Sequence, residues 1–415
     1  MDAREIMILG LGLKAPWQLV SQQLDTNHVP HELHLEVKAE RGAKYPCPEC
    51  EELCPAHDFR EKVWRHLNFF QHHCYIHAMV PRVKCPDHGI KLVKVPWARK
   101  GSAFTLLFEQ ASLALCREMP VRAASRIIEE NDKRLWRIVF HYVREALETL
   151  DCSLVRGIGL DETSSKSGHQ YVTVFIDMNR KKNPVLFVTP GKGKATIARF
   201  KAFLRQHGGK PEEILEVVCD MSKAFLSGIK EHFPGAKVTV DWFHIVQTFT
   251  KALNEVMKKE RATKALPKHL RWAALKRCDV KNLTDHQVLA LGELLEKGLE
   301  TAVAWRIKEN LAGIRLAKTP RAAKWRITRF IHKSLLLTEG SKLLEPMVRA
   351  IETLRNHKEE VAQRWTSTFT NARLEGLNGI FQAAKARARG YRKVMTFITM
   401  IYLIASPVAE ILKGV

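Results

Sequence analysis

The stretch from residue 154 to residue 241 constrains the fold most, because short apolar runs alternate there with two amphipathic segments. Five strands are predicted, at 154–160, 171–176, 185–188, 215–219 and 238–240. Helices are predicted at 194–206, before the fourth strand, and at 222–233, before the fifth strand. Three consecutive strands followed by strands that alternate with helices are typical of a mixed sheet flanked by helices.

From Trp242 to the end of the chain, the hydrophobic periodicity is that of α-helices. Apolar residues recur every three to four positions in segments that begin near Ile245, Leu291 and Leu344. About 120 residues of predicted helix therefore separate the fifth strand from the helix that contains Glu375. We interpret this block as an insertion that interrupts the sheet-containing domain. Trp305, Trp325 and Trp365 in the insertion are expected to be core residues, and stacking of one of them on a base is the alternative.

Four aspartates stand at the predicted strand ends, and the topology of the sheet distinguishes them. In a ribonuclease-H-like sheet the strand order is 3-2-1-4-5, and the first and fourth strands are parallel neighbours, about 4.8 Å apart. Asp161 and Asp220 end those two strands and could share a cation. Asp241 ends the fifth strand, one strand further out. Asp177 ends the antiparallel second strand and is expected at the opposite edge of the sheet.

The segment from Phe369 to Lys393 contains the third acid. Its polar residues fall in one stripe of the predicted helix, which consists of Asn371, Glu375, Asn378, Gln382 and Lys385. An adjacent apolar stripe can pack on a core, and it consists of Leu374, Leu377, Phe381 and Ala384. Three carboxylates could hold two Mg²⁺ ions about 3.5–4 Å apart for in-line phosphoryl transfer. Because aspartates at strand ends also form turns and helix caps, a structural role is the alternative for each.

The charge of the chain favours a polyanionic partner. Sixty-seven Lys and Arg residues stand against 44 Asp and Glu residues, which gives a formal charge of +23. Nucleic acid is the first candidate, an anionic membrane is the second, and a merely basic soluble protein is the alternative. The N-terminus lacks the pattern of a signal peptide, and the apolar stretch at 394–408 is too short to span a bilayer. We therefore expect a cytoplasmic protein without a membrane partner.

A cluster of cysteines and histidines between residues 47 and 88 predicts a zinc-binding module. Two ligand pairs, each with two intervening residues, are separated by 34 residues and can hold one tetrahedral ion. The preferred ligands are Cys47, Cys50, Cys85 and His88. Cys54 and His57 form a third pair with the same spacing, and Cys74 is flanked by histidines, so the roles of these residues stay open.

Two groups of basic residues are candidates for contacts with DNA. Two short helices joined by a polar break at 129–131 favour a helix-turn-helix, whose candidate readout residues are Arg122, Lys133, Arg134 and Arg137. A second group follows Glu375 and could hold phosphates near the acids, and it consists of Arg387, Arg389, Arg392 and Lys393. For each residue, the alternative is an ordinary solvated basic side chain.

Three runs of the chain together resemble the DDE transposases of the ISL-three insertion-sequence family. They are IGLDETSSKSGHQYVTVFIDMNRKKNPVL, VVCDMSKAFLSGIKEHFPGAKVTVDWFHIVQ and TNARLEGLNGIFQAAKARARGYR. The resemblance implies a bacterial transposase that cuts element ends and joins them to target DNA. It further implies that the catalytic acids, which bind Mg²⁺ or Mn²⁺, are Asp161, Asp220 and Glu375.

The resemblance also implies roles outside these three acids. His244, in the motif Asp241-x-x-His244, would be an accessory active-site residue, and the alternative is a histidine that packs at the start of a helix. The family typically has a cysteine at the position of His88, so this ligand is a departure. The zinc module and the helix-turn-helix would bind the terminal inverted repeats of double-stranded DNA. A homodimer or higher oligomer would assemble on that DNA, in the bacterial nucleoid.

The predicted organisation is an α+β multidomain chain with a ribonuclease-H-like core interrupted by a large helical insertion. Its predicted parts are an N-terminal segment (1–46), a zinc-binding module (47–100), a helix-turn-helix domain (101–150), the first part of the catalytic core (151–244), the helical insertion (245–365) and the C-terminal helices of the core with the third acid (366–415). A catalytically inactive, transposon-derived DNA-binding repressor is the alternative function, and a structure-specific nuclease or resolvase is a third.

Overall fold

The computed structural model describes residues 3–40, 42–166, 168–263, 268–270 and 284–408. The chain forms two compact units, one that extends up to residue 146 and one that comprises residues 147–407. Each unit has its own hydrophobic core, and each is described separately below.

The first unit begins with helix α1 (Ala3–Gly10) and a six-stranded sheet. The strands are β1 (Trp17–Asp25), β2 (Glu32–Ala39), β3 (Lys44–Pro46), β4 (Leu53–Phe69), β5 (His72–Cys85) and β6 (Gly89–Leu92). Their order is β1-β2-β5-β4-β3, and β6 pairs with β5. Alternate residues of β2 and β5 are buried, so these strands form one wall of the core. The long hairpin β4–β5 brings the predicted zinc ligands of both pairs to the same end of the sheet.

Three helices complete the first unit: α2 (Leu106–Glu118), α3 (Val121–Ile127) and α4 (Asp132–Glu148). The break between α3 and α4 lies where the sequence predicts it. Glu129 adopts a positive φ of 54° in that break, which reverses the chain between the two helices. The side-chain oxygen of Asn131 then accepts the main-chain N–H of Lys133 at 2.9 Å, in the first turn of α4.

The second unit is built on a five-stranded sheet. Its strands are β7 (Gly157–Lys166), β8 (Gln170–Asp177), β9 (Val185–Pro190), β10 (Glu216–Cys219) and β11 (Lys237–Val240). The order is β11-β10-β7-β8-β9; β7, β10 and β11 are parallel, and β8 is antiparallel to both of its neighbours. Helices α5 (Lys194–Gln206) and α6 (Lys223–His232) pack on the sheet, and a 3-10 turn (Pro211–Glu213) precedes β10. The predicted strand order 3-2-1-4-5 is confirmed.

The prediction that the first strand of this sheet ends at Asp161 is wrong. Strand β7 continues for five more residues, to Lys166, and pairs with β8 along this extension. The extension is polar (Glu162 to Lys166), so its composition resembles that of a loop. It remains a strand because β8 hydrogen-bonds to one edge of it. Its other edge no longer pairs with β10, and side chains of a later helix donate hydrogen bonds to that edge instead.

A helical block follows β11. Its helices are α7 (Trp242–Thr263), α8 (Asp285–Glu296), α9 (Glu300–Asn310), α10 (Ala312–Arg315), α11 (Pro320–Leu336), α12 (Glu345–Asn356) and α13 (Lys358–Gln363), with a 3-10 turn (Lys342–Leu344) before α12. Two final helices are α14 (Ala372–Arg387) and α15 (Val394–Ala405). Helix α7 is the centre of the block, because α9 and α12 both pack along it. Helix α15 is buried, as predicted for the apolar stretch at the C-terminus.

The three tryptophans of the helical block differ in their exposure. Trp305 is buried, as predicted. Trp365 is half-buried, and its Nε1 donates a hydrogen bond to the carbonyl of Ala317 at 2.9 Å. Trp325 is 58% exposed, so the prediction that it is a core residue is wrong. The buried face of its helix is occupied instead by Ile327 and other aliphatic residues.

Among the described helices, none is both long enough and apolar enough to cross a membrane.

Candidate active site and candidate metal centre

Three aspartates stand in a row across the parallel strands of the second sheet, just beyond the point where these strands stop pairing with one another. The register of the pairs β7–β10 and β10–β11, continued just beyond their last hydrogen bonds, places Asp220 between Asp161 and Asp241. Asp177 pairs with Ile158 near the start of β7, so it lies toward the opposite edge, as predicted. The topology therefore brings Asp161 and Asp220 together and keeps Asp177 away from them.

Asp161 is held by two hydrogen bonds, one to each carboxylate oxygen. Oδ1 accepts the main-chain N–H of Glu162 at 2.8 Å, and Oδ2 accepts Nδ2 of Asn378 at 2.8 Å. Burial raises the pKa of Asp161 to about 6, and repulsion from Asp220 and Glu375 acts in the same direction. Both hydrogen bonds favour the charged form but do not offset the burial. The Asp161 carboxyl group is thus largely buried and close to other acidic side chains.

The other acids surround the same position. Glu375 lies in the first turn of α14, and partial burial and the neighbouring Asp241 carboxylate raise its pKa. Asp241 is 8% exposed and accepts the N–H of Phe243, while Asp220 accepts the N–H of Ser222 at 2.9 Å. The ligand atoms of the three predicted catalytic acids do not all lie within 4.8 Å of one another.

His244 lies beside these carboxylates, in the first turn of α7. It is half-buried, and its positive charge, when protonated, would lower the pKa of both Asp161 and Glu375. The residue is therefore located where the sequence places an accessory active-site group. A histidine at this point can hold a proton next to the acids or donate a hydrogen bond toward a bound oxyanion.

Helix α14 is attached to the free edge of β7 by its polar stripe. Gln382, one turn after Asn378, donates hydrogen bonds to Oγ1 of Thr163 at 2.7 Å and to the main-chain carbonyl of Ser164 at 2.9 Å. Lys385 donates to the same carbonyl at 2.6 Å. The predicted stripe therefore supplies the partners that β10 does not supply to the second half of β7. Sequence analysis identified the stripe but assigned a role only to Glu375.

The start of α14 approaches the sheet closely because two residues of β7 are glycines. A Cβ atom on Gly159 would lie 2.9 Å from Cδ1 of Leu374 and 2.6 Å from Sδ of Met178. A Cβ atom on Gly157 would lie 2.6 Å from Cε2 of Phe369. Real Cβ atoms essentially never make contacts this short, so a larger residue at either position would force the side chains of Leu374, Met178 or Phe369 to move. Sequence analysis did not detect this requirement.

Arg373 fixes the same helix from its other side. Its guanidinium group, two residues before Glu375, donates hydrogen bonds to four main-chain carbonyls at the end of β8, those of Asp177, Met178, Arg180 and Lys181. Burial lowers the pKa of Arg373, but the group stays charged at neutral pH. Asn371, immediately before α14, is buried, and its side-chain amide has no hydrogen-bond partner within the described residues.

The four preferred zinc ligands of the first unit converge on one point. Sγ of Cys50 lies 3.6 Å from Sγ of Cys85, and Nδ1 of His88 lies 3.5 Å from Cys85 and 4.0 Å from Cys47. Ligands around a tetrahedral zinc ion with Zn–S distances of about 2.3 Å are separated by roughly the same amounts. Main-chain N–H groups of Cys50 and Glu49 lower the pKa of Cys47 to about 7, which favours the thiolate. The donor set therefore fits zinc.

A fifth thiol lies next to this centre. Cys54 is buried, and it forms a second close group with Glu52 and Cys85. Burial raises the pKa of Cys54, but the pKa of the preferred ligand Cys50 is raised as well, so it is position that separates them: Cys54 lies outside the group of four. Neither His57 nor Cys74 belongs to a metal-binding group in the part of the chain that the structure describes.

The predicted DNA-binding residues differ in their availability. Arg122, Lys133 and Arg137 are exposed. Arg134 is engaged within the protein, because it donates to Glu130 at 2.8 Å and its guanidinium carbon lies 4.3 Å from the centre of the Phe104 ring. It is therefore the least suitable of the four for contacts in a DNA groove. The second group is exposed throughout, and it consists of Arg387, Arg389, Arg392 and Lys393.

Comparison with known proteins places three family models along the chain. A transposase model matches residues 158–401. A helix-turn-helix domain of transposase family ISL3 matches residues 93–143, and a zinc-finger of transposase IS204/IS1001/IS1096/IS1165 matches residues 44–88. The first match contains every acid described above, and the third contains all four preferred zinc ligands.

Two kinds of relatives are similar to the chain. The transposase for insertion sequence element IS1001 of Bordetella parapertussis is 23% identical over 365 residues, which are 86% of this chain and 87% of the relative. The transposase for insertion sequence element IS1557 of Mycobacterium tuberculosis, in strains CDC 1551 / Oshkosh and H37Rv, is 30% identical over 196 residues. That match covers 46% of this chain and 42% of the relative.

Proposed function

The chain belongs to the ISL3 family of transposases, enzymes that act on DNA, and from this membership we propose how it works and where its active site lies. It binds the terminal inverted repeats of an insertion sequence, cleaves the strands at the element ends and transfers them to target DNA. The observation that carries this proposal is the row of aspartates on adjacent parallel strands, together with Glu375 on α14.

The second unit is a ribonuclease-H-like core interrupted by a helical insertion. The central position of β7, the antiparallel β8 and the parallel β10 and β11 support this assignment. The block that begins at α7 separates β11 from α14, yet α14 returns to the edge of β7. This return supports residues 245–365 as the insertion and residues 366–415 as the second part of the core. The zinc module (47–100) and the helix-turn-helix (101–150) are the proposed DNA-reading domains.

The chemistry of the acidic cluster fits a hard divalent cation. Among the described residues, none of the acids Asp161, Asp220, Asp241 and Glu375 forms an ion pair with Lys or Arg. Asn378 donates a hydrogen bond to Asp161, but its side-chain oxygen is buried and has no donor among the described residues. This oxygen could accept a hydrogen bond from an additional polar group. Oxygen ligands of this kind are those that Mg²⁺ prefers.

Asp161, Asp220 and Glu375 would hold Mg²⁺ or Mn²⁺, and Asp241 would support Glu375. When bound, such ions activate the attacking oxygen and stabilise the leaving oxygen of a phosphoryl transfer. Asn378 and the N–H of Glu162 keep the Asp161 carboxylate in one orientation, which preserves the geometry needed for this step. His244, beside the acids, can donate a hydrogen bond to an oxygen of the DNA strand.

The partners follow from the same arrangement. Double-stranded DNA is bound through phosphates by the exposed basic residues after α14, and the bases are read by the helix-turn-helix. Two element ends require two copies of the chain, so we propose a homodimer or higher oligomer on DNA. The bacterial cytoplasm, at the nucleoid, is the proposed location. A structural zinc ion in the Cys47–His88 cluster stabilises the first unit.

The test is a cleavage assay on labelled DNA that carries the element ends, with Mg²⁺, for wild type, Asp161→Asn and Asp177→Asn. Asp177 is the matched control, because it is another aspartate of the same sheet but lies toward the opposite edge. We expect nicking at the element boundary by wild type and Asp177→Asn, and none by Asp161→Asn. Binding without cleavage in the wild type would favour the alternative, an inactive transposon-derived repressor.

A further inference from the structure

Helix α4, the second helix of the helix-turn-helix, has two aromatic side chains that reach its surface. Phe140 is 43% exposed, and Trp136, one turn before it, is half-buried. Their ring centroids lie 5.6 Å apart at an interplanar angle of 36°, so the two rings form one apolar surface. The opposite side of the helix packs on the core through six other residues: Leu135, Ile138, Val139, Tyr142, Val143 and Ala146. The exposed part of the two rings thus lies outside the core.

Positive charge lies on the same side of α4 as the two rings. Residues at helical spacing form this face, and they are Lys133, Trp136, Arg137 and Phe140. Lys133 and Arg137 are exposed, and among the described residues neither side chain forms an ion pair. Residues 133–144 contain four Lys and Arg residues and no Asp or Glu. The face therefore combines an apolar centre with cations that are available to an external anion.

The first turn of α4 is held in position by two contacts. The side-chain oxygen of Asn131 accepts the main-chain N–H of Lys133 at 2.9 Å and caps the helix. The guanidinium group of Arg134 lies over the ring of Phe104, and this contact joins α4 to the segment before α2. In a helix-turn-helix, residues near the N-terminus of the second helix contact base edges in the major groove. Both rings lie in the first half of α4, where such contacts are made.

The chemistry of Phe140 selects one feature of the major groove. Its side chain has no polar atom, so it cannot read the hydrogen-bond donors and acceptors of the base edges. Thymine, however, presents its C5-methyl group in the major groove, and phenylalanine is among the side chains that contact this group. Lys133 and Arg137 on the same face would meet the neighbouring phosphates. A purely apolar partner would leave these two cations without counter-charges, whereas DNA offers methyl groups between phosphates.

We propose that Phe140, with Trp136 packed against it, contacts the C5-methyl groups of thymines in the major groove of the element ends and thereby helps to select these ends. The inference rests on the proposed function, because it requires that the helix-turn-helix binds the terminal inverted repeats. It adds the base that is read and a specificity residue that the pattern of basic side chains does not indicate.

The experiment removes the methyl groups from the DNA and the ring from the protein. Fluorescence anisotropy measures binding, without divalent cations, to a labelled duplex with the element end and to the same duplex with deoxyuridine in place of every thymidine. Deoxyuridine pairs like thymidine and lacks only the methyl group. The full chain is used as wild type, Phe140→Ala, Phe140→Leu and Leu107→Ala. Leu107 is the matched control, because it is an apolar residue of α2 with a similar exposure of 41%. An unrelated duplex, with either base, measures non-specific binding, and circular dichroism melts verify that each variant is folded.

We expect deoxyuridine to weaken end binding by the wild type about 3- to 5-fold for each methyl group contacted, as for the loss of one buried methyl group, and to leave binding of the unrelated duplex unchanged. Phe140→Ala should bind the two end duplexes equally and more weakly than the wild type binds thymidine ends. Phe140→Leu should retain part of the preference for thymidine, and Leu107→Ala all of it.

Two results would overturn the inference alone: equal binding of thymidine and deoxyuridine ends by the wild type, or a full preference for thymidine in Phe140→Ala. The first result comes from the wild type, so it does not depend on the folding of a variant. Equal binding of element ends and unrelated duplex by the wild type would instead contradict the proposed function, and this inference with it.

Discussion

Asn378→Ala is the perturbation that examines the geometry of the proposed active site most closely. The change removes the 2.8 Å hydrogen bond from Nδ2 to Oδ2 of Asp161 and leaves the backbone of α14 intact. A hydrogen bond to a charged group contributes about 1.5–3 kcal/mol, so its loss at the reacting site corresponds to a rate decrease of about 10- to 150-fold. Among the described residues, the oxygen of Asn378 has no partner, and Nδ2 also donates to the carbonyl of Glu162 at 3.5 Å, so the variant loses this long hydrogen bond as well.

The assay is single-turnover cleavage of labelled element-end DNA at saturating protein, with Mg²⁺ varied. Gln382→Ala is the matched control, since Gln382 lies one turn further along α14 and donates to β7 at Thr163 and Ser164, but not to Asp161. We expect the large decrease for Asn378→Ala only, with end binding unchanged in both variants. Equal rates for Asn378→Ala and wild type would refute the orientation argument. Equal losses of cleavage rate in both variants would mean that the hydrogen bond from Asn378 to Asp161 serves only to attach α14 to β7.

Three further predictions concern the framework around this site and the first unit. Arg373→Ala should lower the cleavage rate, and it should lower the free energy of unfolding by about 1–3 kcal/mol in urea denaturation, because four carbonyls lose their donor. Arg373→Lys should recover only part of the lost stability. Cys47→Ser, or zinc chelation, should weaken end-specific binding in gel-shift assays while the melting transition of the second unit persists. Burial lowers the pKa of His66 to about 4, so the folded state disfavours its charged form, and stability should fall as pH decreases from about 6.5 toward 4, by about 2 kcal/mol at pH 5. Urea denaturation at pH 7 and pH 5 should show this loss in wild type and a smaller one in His66→Gln.

The order of the second sheet was predictable because each strand is a short apolar run and the helices alternate with the later strands. The extension of β7 beyond Asp161 was not predictable. Its polar residues are stabilised by Gln382 and Lys385, which are more than 200 positions away in the chain. Local composition does not contain that information, since the same residues without α14 beside them would resemble a loop.

Periodicity located the Glu375 stripe but not the contacts that position it. The hydrogen bonds that Arg373 donates and the close approach at Gly157 depend on how α14 packs on the sheet. The spacing of residues within α14 contains no information on that packing. Trp325 was misassigned because a tryptophan in a predicted helix resembles a core position, although Lys324 and Arg326 flank it. It lies two residues before the buried Ile327, which is about 200° around a helix and therefore on the opposite face.

The convergence of Cys47, Cys50, Cys85 and His88 was predictable because the spacing within each pair is short and fixes local geometry. The paired spacing also occurs at Cys54 and His57, and the sequence did not exclude them. The structure distinguishes the sets, because the hairpin β4–β5 brings Cys85 and His88 back to the first pair, whereas His57 lies along a strand. Choosing between equal spacings thus required the long-range pairing of the strands.

The central claim is that Asp161, Asp220 and Glu375 form one metal-dependent site that cleaves element ends, and Glu375→Gln tests it most directly. The measurement compares boundary nicking and end binding of this variant with those of wild type in the same Mg²⁺ buffer. We expect wild-type binding and no detectable nicking, because the amide cannot replace the carboxylate as a ligand. Nicking at the wild-type rate by Glu375→Gln would show that Glu375 is not part of the active site.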